Sequence, residues 1–490
     1  MIEKDWLEIE IGDVAHLYQP KTISSKMLVE NGEFPVYGAN GIIGQYDKFN
    51  HEDPQLLITC RGATCGNVHI TLPFSWINGN AMVVQPFDNS LLQLEYLKFV
   101  FSNKNRTQKA ISGSAQPQIT RTGLAPIKFP LPPLPIQRAI VAKIETLFTS
   151  LDKSIADLTK AQKQLVVYRQ AVLKKAFEGE LTKEWRTKQT DLPSAEELLE
   201  QIKEERQKHN EQKLADWEQT VKVWEKNGKE GKKPRKPGKP TPFQLQEEEN
   251  LKELPILPEC WSWTIYENIC LKIRNGISKK PNEDPAGDKI FRISSVRPAK
   301  FDLTDFRLIS NNGELDEFLL KKGDLVFTRY NGTRKFVGVC AMFNSDERFL
   351  YPDKLIQTRV LDTIFNPSFI EYASNCSASR KFVEFKIRTT AGQSGISGGD
   401  IKAMPIPICS MTEQQQIVRE IESRLSVCDN VEKCIAESLL KAKALRQSIL
   451  KKAFESKLLT NAEIAKCKQA PDYEPASVLL ERIKEEKEKL

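Results

Sequence analysis

The chain has 490 residues, 40% of them hydrophobic and 28% charged, with a formal net charge of +7 at pH 7. That length predicts two or three domains, and that balance excludes a disordered chain. No apolar run approaches the ~18 residues of a membrane-spanning helix, and the mild positive excess admits nucleic acid as a partner without requiring it.

The first residues, MIEKDWLEIEIGDV, put acids and a Trp where a secretory signal needs a basic end and an apolar run, so a cytoplasmic location is expected. The ten cysteines are scattered. The nearest pairs are Cys60/Cys65 and Cys428/Cys434, no C-x-x-C occurs, and the four histidines lie apart from them. This spacing supports neither a zinc site nor a disulfide framework, and no metal ligands are assigned.

Residues 1–133 read as short β-rich runs with a few helices, a first α/β domain. It starts around Trp6, has a strand and polar loop in QLLITCRGATCGNVHI (55–70), and closes with SGSAQPQITRTGL (112–124). The Pro-punctuated PIKFPLPPLPIQ (126–137) is extended, because proline cannot continue a helix and disfavours one before it. A helix takes over at Gln137, within a segment bounded at 134–182. Its apolar residues Ile140, Ile144, Leu147, Leu151, Ile155, Leu158, Leu165, Tyr168 and Val172 recur at steps that form one stripe.

Residues 183–253 hold a charged helix and then WEKNGKEGKKPRKPGKPTPF (224–243), rich in Lys, Pro and Gly. This reads as a flexible solvated tether, with phosphate contact as the functional alternative. Residues 254–408 form a second α/β domain, starting around CWSWTIYENI and containing DLVFTRYNGTRKFVGVC (324–340) and TAGQSGISGGDI (390–401). A second long helix spans 409–459, starting around Thr412, which with Gln415 suggests a capping box. A helical tail, 460–490, follows.

The two helices are copies. RQAVLKKAFEGEL (169–181) and RQSILKKAFESKL (446–458) are 277 positions apart, and the same shift carries Ile140, Ile144 and Asp152 onto Ile417, Ile421 and Asp429. SAEELLEQIKEER (194–206) likewise resembles ASVLLERIKEEKE (476–488). A helix of about 40 residues with a single stripe needs a partner, and the other copy provides it, in an intramolecular antiparallel coiled coil. The expected fold is therefore α+β: two globular α/β domains separated by two long helices, in a pseudo-two-fold repeat.

Motifs that would carry catalysis are weak. NPSF (366–369) is similar to the Asn-Pro-Pro-aromatic motif of amino-methyltransferases but lacks the second proline, and no Gly-rich segment for adenosylmethionine precedes it. Pro352-Asp353 with Glu384-Phe385-Lys386 imitates a nuclease metal site by short, chance-prone pattern. No G-x-x-x-x-G-K-[ST] or H-E-x-x-H occurs.

On its domain order, its Pro-rich approaches, its LKKAFEGEL and LKKAFESKL helix ends and its QPQIT and QSGIS segments, the chain resembles the specificity subunit of type I restriction-modification systems. It departs from the family in PICSMTEQQ, where Pro-Pro-Leu-x-Glu-Gln is more usual, and in its long basic linker. The resemblance implies a non-catalytic, sequence-specific DNA-binding subunit with two target recognition domains, each reading one half of a bipartite asymmetric double-stranded site. It implies two methyltransferase subunits as partners, which use S-adenosylmethionine to modify adenine, and two restriction subunits, which use ATP and Mg. No cofactor is implied for this chain. Two identical partners would dock on one chain that mimics a two-fold dimer.

Base reading needs Arg, Lys, Asn, Gln, Ser or Thr on a loop that reaches a groove. The candidates are Arg61, Thr64, Asn67, Gln116, Gln118 and Arg121 in the first domain. In the second they are Arg329, Tyr330, Asn331, Arg334, Lys335, Gln393 and Ser394. Asn331-Gly332 reads equally as a turn satisfied by its own backbone. Rival expectations are a coiled-coil scaffold without a DNA role, and an amino-methyltransferase-like enzyme centred on NPSF.

Overall fold

The computed structural model describes residues 5–62, 64–113, 116–239, 241–245, 252–390 and 392–489, with Asn105 and Thr390 described in backbone only. The fold is α+β and forms two compact units. Unit 1 comprises Met1–Ala161 with Cys434–Leu490, and unit 2 comprises Gln162–Lys433. The division falls inside both long helices, so unit 1 joins segments far apart in sequence.

In unit 1 a four-stranded antiparallel sheet runs in the order Ala15–Tyr18, Ala81–Pro86, Leu56–Thr59, Val68–Ile70. Leu56–Thr59 is almost wholly apolar because both its faces are covered. Leu56 and Ile58 enter the main core with Met82 and Val84, whereas Leu57 turns to a second cluster with Ala81 and Val83. A three-stranded sheet runs Gly41–Tyr46, Phe34–Gly38, Trp76–Ile77, its last pair parallel. The Pro-rich approach is a strand, Lys128–Leu131, paired antiparallel with Leu7–Glu10.

Unit 2 repeats this topology. Its four-stranded sheet runs Cys270–Asn275, Leu355–Val360, Leu325–Thr328, Cys340–Met342. Its three-stranded sheet runs Phe306–Ile309, Asp288–Phe291, Phe349–Leu350, again with a parallel last pair. Ser262–Ile265 pairs with Pro405–Ile408 as Leu7–Glu10 pairs with Lys128–Leu131. From sequence the two domains share only an outline; in three dimensions they share strand order.

The long helices are Leu134–Phe177 and Met411–Phe454, 44 residues each and so about 66 Å long at 1.5 Å per residue. The first starts three residues before the expected Gln137. Pro135 is tolerated there, because the first-turn N–H groups have no partner within the helix. The second is capped by Ser410, whose Oγ accepts from Glu413 N at 3.2 Å, in place of the expected Thr412.

Within each unit the two helices lie antiparallel. In unit 1 Arg446 donates to Asp152 at 3.0 Å, and its guanidinium lies 4.5 Å from the Phe148 ring centroid. In unit 2 Arg169 donates to Asp429 at 2.6 Å. These pairs are images of each other under the 277-residue shift. The stripe is only partly buried, since two helices cover one seam: Ile140, Ile144, Ile417 and Ile421 are buried, whereas Tyr168, Val431 and Leu445 are exposed.

Each long helix holds its domain by a buried glutamine. Gln137 Nε2 donates to Leu91 O and Pro132 O, and its Oε1 accepts from Gln93 N. Gln414 Nε2 donates to Ile364 O and Cys409 O, and its Oε1 accepts from Asn366 N. This explains NPSF. Asn366 caps the helix Pro367–Ser374, its Oδ1 accepting from Ser368 N at 2.9 Å, so the motif is a loop-to-helix junction.

Unit 2 contains a buried polar node without an image in unit 1. Glu413, fully buried, accepts from Thr182 Oγ1 at 2.7 Å, Arg186 Nε at 2.8 Å and Trp261 Nε1 at 2.8 Å. The 277-residue shift puts Ile136 opposite Glu413. The Nε1 of Trp6 is correspondingly buried with no hydrogen-bond partner among the described residues.

The helices after the spacers pack back into the units. Leu198 and Ile202 of Ala195–Lys226 enter the unit 2 core, and Leu479 and Ile483 of Ala476–Lys489 enter the unit 1 core. The linker departs from the expected free tether and doubles back along Ala195–Lys226. Trp217 Nε1 donates to Pro234 O at 3.1 Å, Arg206 Nη2 to Thr241 O at 2.7 Å, and Gln244 N to Asn268 Oδ1 at 3.2 Å. Among the described residues no helix is long and apolar enough to cross a membrane.

Candidate nucleic-acid interface

In each unit the loop after the central strand lies antiparallel to the Gly/Ser/Gln segment, and the same backbone hydrogen bonds fix both. In unit 1 Thr59 N donates to Asn67 O and Gly66 N returns to Thr59 O, closing the loop. Gly66 sits at φ +88, a conformation that favours glycine. Ile119 N donates to Cys60 O at 2.9 Å, and Arg61 bridges to Gln118.

In unit 2 Thr328 N donates to Val339 O, Gly338 N (φ +67) to Thr328 O, and Ile396 N to Arg329 O at 2.9 Å. Tyr330 and Asn331 then pair with Gly395 and Ser394. A capped short helix follows each segment: Thr120 Oγ1 accepts from Gly123 N, and Ser397 forms a capping box with Asp400.

The sequence candidates in unit 1 converge here. Arg61, Gln116, Gln118 and Arg121 are exposed, and their side chains have no hydrogen-bond partner among the described residues. Thr64 is half-buried inside the loop, and its carbonyl accepts from Asn67 N. Asn67 is exposed and its Nδ2 donates to Asn40 Oδ1 at 3.0 Å, tying the loop to the Phe34–Gly38/Gly41–Tyr46 hairpin. Burial pushes the neighbouring Cys60 thiol up to about 11, so it remains a protonated, apolar backing for the loop.

In unit 2 the candidates divide. Lys335 and Gln393 are exposed. Arg329 donates to Asp353 O at 3.3 Å and lies 4.8 Å from the Tyr330 ring centroid, which makes a half-buried stacked pair. Arg334 is exposed but anchored to the carbonyl of Glu384 at 2.9 Å. Asn331 Oδ1 accepts from Thr333 N at 2.8 Å, so the turn reading describes its side chain. Ser394 is 7% exposed and its hydroxyl lies 3.0 Å from that of Thr389, which leaves it a strand-pairing role.

Two positioning residues escape sequence reading. Arg380 braces the unit 2 loop, donating to Val337 O at 2.8 Å and Lys335 O at 3.3 Å. Asn40 braces the unit 1 loop through Asn67. Asn40-Gly41 is a recognisable turn dipeptide, whereas nothing in the pattern around Arg380 announces its role. The arrangement can present hydrogen-bond donors and acceptors on a stiff loop at two places, with different side chains at each.

Comparison with known proteins adds four findings. Residues 3–164 match the type I restriction modification DNA specificity domain. The chain is 28% identical to the type I restriction enzyme EcoKI specificity subunit of Escherichia coli K12, over 94% of this chain and 87% of that one. It is 23% identical to the EcoDI specificity subunit of Escherichia coli, over 99% of this chain and 95% of that one. A solved structure described under complex assembly and conformational transition of the type I R-M system superposes with a TM-score of 0.62 at 15% identity, covering 94% of this chain and 100% of that one.

Proposed function

We propose that the chain, similar to the specificity subunits of type I restriction-modification systems, is itself one, and that its two domains each read one half of a bipartite, asymmetric DNA site and present it to catalytic partners. The observation that carries this reading is the matched pair of loops. Cys60 O accepts from Ile119 N and Arg329 O from Ile396 N, both at 2.9 Å, so one scaffold is used twice with different exposed side chains. A shared scaffold with divergent tips suits two unlike half-sites on one duplex.

The chain supplies binding and the partners supply chemistry. A methyltransferase subunit holding S-adenosylmethionine modifies adenine, which requires the base to leave the stack. A restriction subunit uses ATP and Mg. Two copies of each partner fit a chain whose helices repeat, and Tyr168 and Leu445, equivalent under the 277-residue shift and both exposed, supply matched apolar contacts for two identical modification subunits. Arg61 and Arg121 serve either bases or phosphates; Gln116, Gln118 and Gln393 are the candidates for base edges.

The test is the map of methylated adenines in DNA exposed to the assembled methyltransferase. Gln118→Ala is expected to relax one half of the site only and Gln393→Ala the other half only, each at about 1–3 kcal/mol of discrimination. Relaxation of both halves by one substitution, or unchanged specificity from both, refutes the assignment of one half-site per domain.

A further inference from the structure

The doubled-back linker builds something that the repeat does not contain. It closes one side of a cleft of about 410 Å³ in unit 2, whose other walls are the helix Ala195–Lys226, the start of Cys270–Asn275 and the end of the helix Gly398–Lys402. These elements contribute Arg206, His209, Lys213, Lys239, Lys272 and Lys402 to one concavity, against a single carboxylate, Glu267.

That carboxylate is already engaged, accepting from Lys402 Nζ at 2.7 Å. Arg206 spends its donors on the carbonyls of Glu267 and Thr241, which are neutral acceptors, and the carboxylate acting on its charge, Glu267, is shared with Lys402. Among the described residues Lys213, Lys239 and Lys272 form no ion pair. The nearby Asp324 is committed to Arg359 at 2.7 Å. Burial, and then Arg359, lower the pKa of Lys272, and burial followed by Lys213 does the same for His209, with Asp362 opposing. Gathering several like charges in a low-dielectric hollow is unfavourable unless an anion returns the energy.

We propose that this cleft binds a phosphate group. Its volume is that of a small-ligand site, and its donors are ammonium and guanidinium groups from separate elements, the set that suits a phosphoryl oxygen cluster. Among the described residues it lies in unit 2, where the basic linker packs back along Ala195–Lys226. The phosphate comes either from the DNA backbone or from a free phosphate ester. The DNA source rests on the function proposed above; the free source does not.

The experiment compares the wild-type full chain with Lys213→Gln/Lys239→Gln, two exposed substitutions, and separately with Lys272→Gln. Two readouts are taken: the salt dependence of binding to a cognate duplex, and the rise in unfolding temperature with pyrophosphate. A backbone source predicts that the double substitution lowers the slope of log K against log salt by about 1–2, near 0.9 per phosphate contact, with the order of preference among DNA sequences retained. A free source leaves that slope unchanged and predicts that pyrophosphate stabilises the wild type, with at least tenfold weaker apparent binding in both variants. Loss of sequence preference itself would count against the loop assignment and not against the cleft. Folded variants that match the wild type in both readouts overturn the proposal.

Discussion

The unit 2 polar node offers the sharpest test of how the two halves differ. Replacing Glu413 by isoleucine installs the residue found at the equivalent position of unit 1, Ile136. The carboxylate is 1% exposed and Arg186 is 15% exposed, so the pair is desolvated. Removing one partner leaves the Arg186 guanidinium with Gly179 O and Thr182 Oγ1 but no counter-charge, and leaves Trp261 Nε1 without an acceptor. Breaking a buried pair in this way costs about 3–5 kcal/mol, which shifts the folded-to-unfolded ratio by about two to four decades. Glu413→Gln keeps the shape and some hydrogen bonds and is expected to cost less, about 1–3 kcal/mol. Denaturant unfolding gives the magnitude, and hydrogen exchange read by mass spectrometry gives the location. Protection should fall across 162–433 and be retained across 5–161. A cost below about 1 kcal/mol for the isoleucine variant, or an equal loss in both units, refutes the reasoning.

Two further outcomes follow from buried groups and close approaches. Glu371 is 7% exposed, and burial pushes its carboxyl up to about 7, with Met342 N donating to Oε1 and Glu422 nearby. The folded-state value is raised above the unfolded one, so its contribution is fully present below pH ~4.5 and lost as pH rises through about 7, a difference of about 3 kcal/mol. Glu371→Gln should therefore leave unit 2 more stable than wild type at pH 8 and flatten the pH dependence of its unfolding; parallel wild-type and variant curves would contradict this. Gly395→Ala would bring a Cβ to 2.3 Å from Tyr330 Cδ1, displacing the ring that stacks on Arg329. It should cost about 1–3 kcal/mol and weaken binding at one half-site, whereas Gly332→Ala, with nothing within 4 Å, should change unfolding by less than about 0.5 kcal/mol.

The helices were legible because their signal is local: apolar steps of three and four, bounded by Pro-rich segments, leave one conformation open. The likeness of QPQIT and QSGIS likewise marked a real equivalence, Ile119 and Ile396 making the same bond. What was hidden depends on distant partners. Thr412 looked like a cap until Ser410 took Glu413 N while the Glu413 carboxylate turned to Trp261 and Arg186. Ser394 has the composition of a base reader, yet it sits 3.0 Å from Thr389. The linker's charge suggested a solvated run, and the bonds from Trp217 to Pro234 O and from Arg206 to Thr241 O show that part of it is folded back. Strand order was beyond reach, since sheet neighbours such as Ala15–Tyr18 and Ala81–Pro86 are separated by more than 60 residues.

That unit 1 joins Met1–Ala161 to Cys434–Leu490 has a consequence for synthesis. Its core holds Ile140 and Phe129 together with Ile449, Phe454, Leu479 and Ile483. The ribosome delivers the first of these long before the last, at ~5–20 residues per second. Unit 2 is continuous and can finish folding once Lys433 has emerged. Unit 1, although its first segment emerges earlier, stays open along one apolar flank until Ala476–Lys489 is released. Ending the chain after Lys433 would therefore yield one finished half and one sticky half, so the solubility of residues 1–161 depends on residues 434–490.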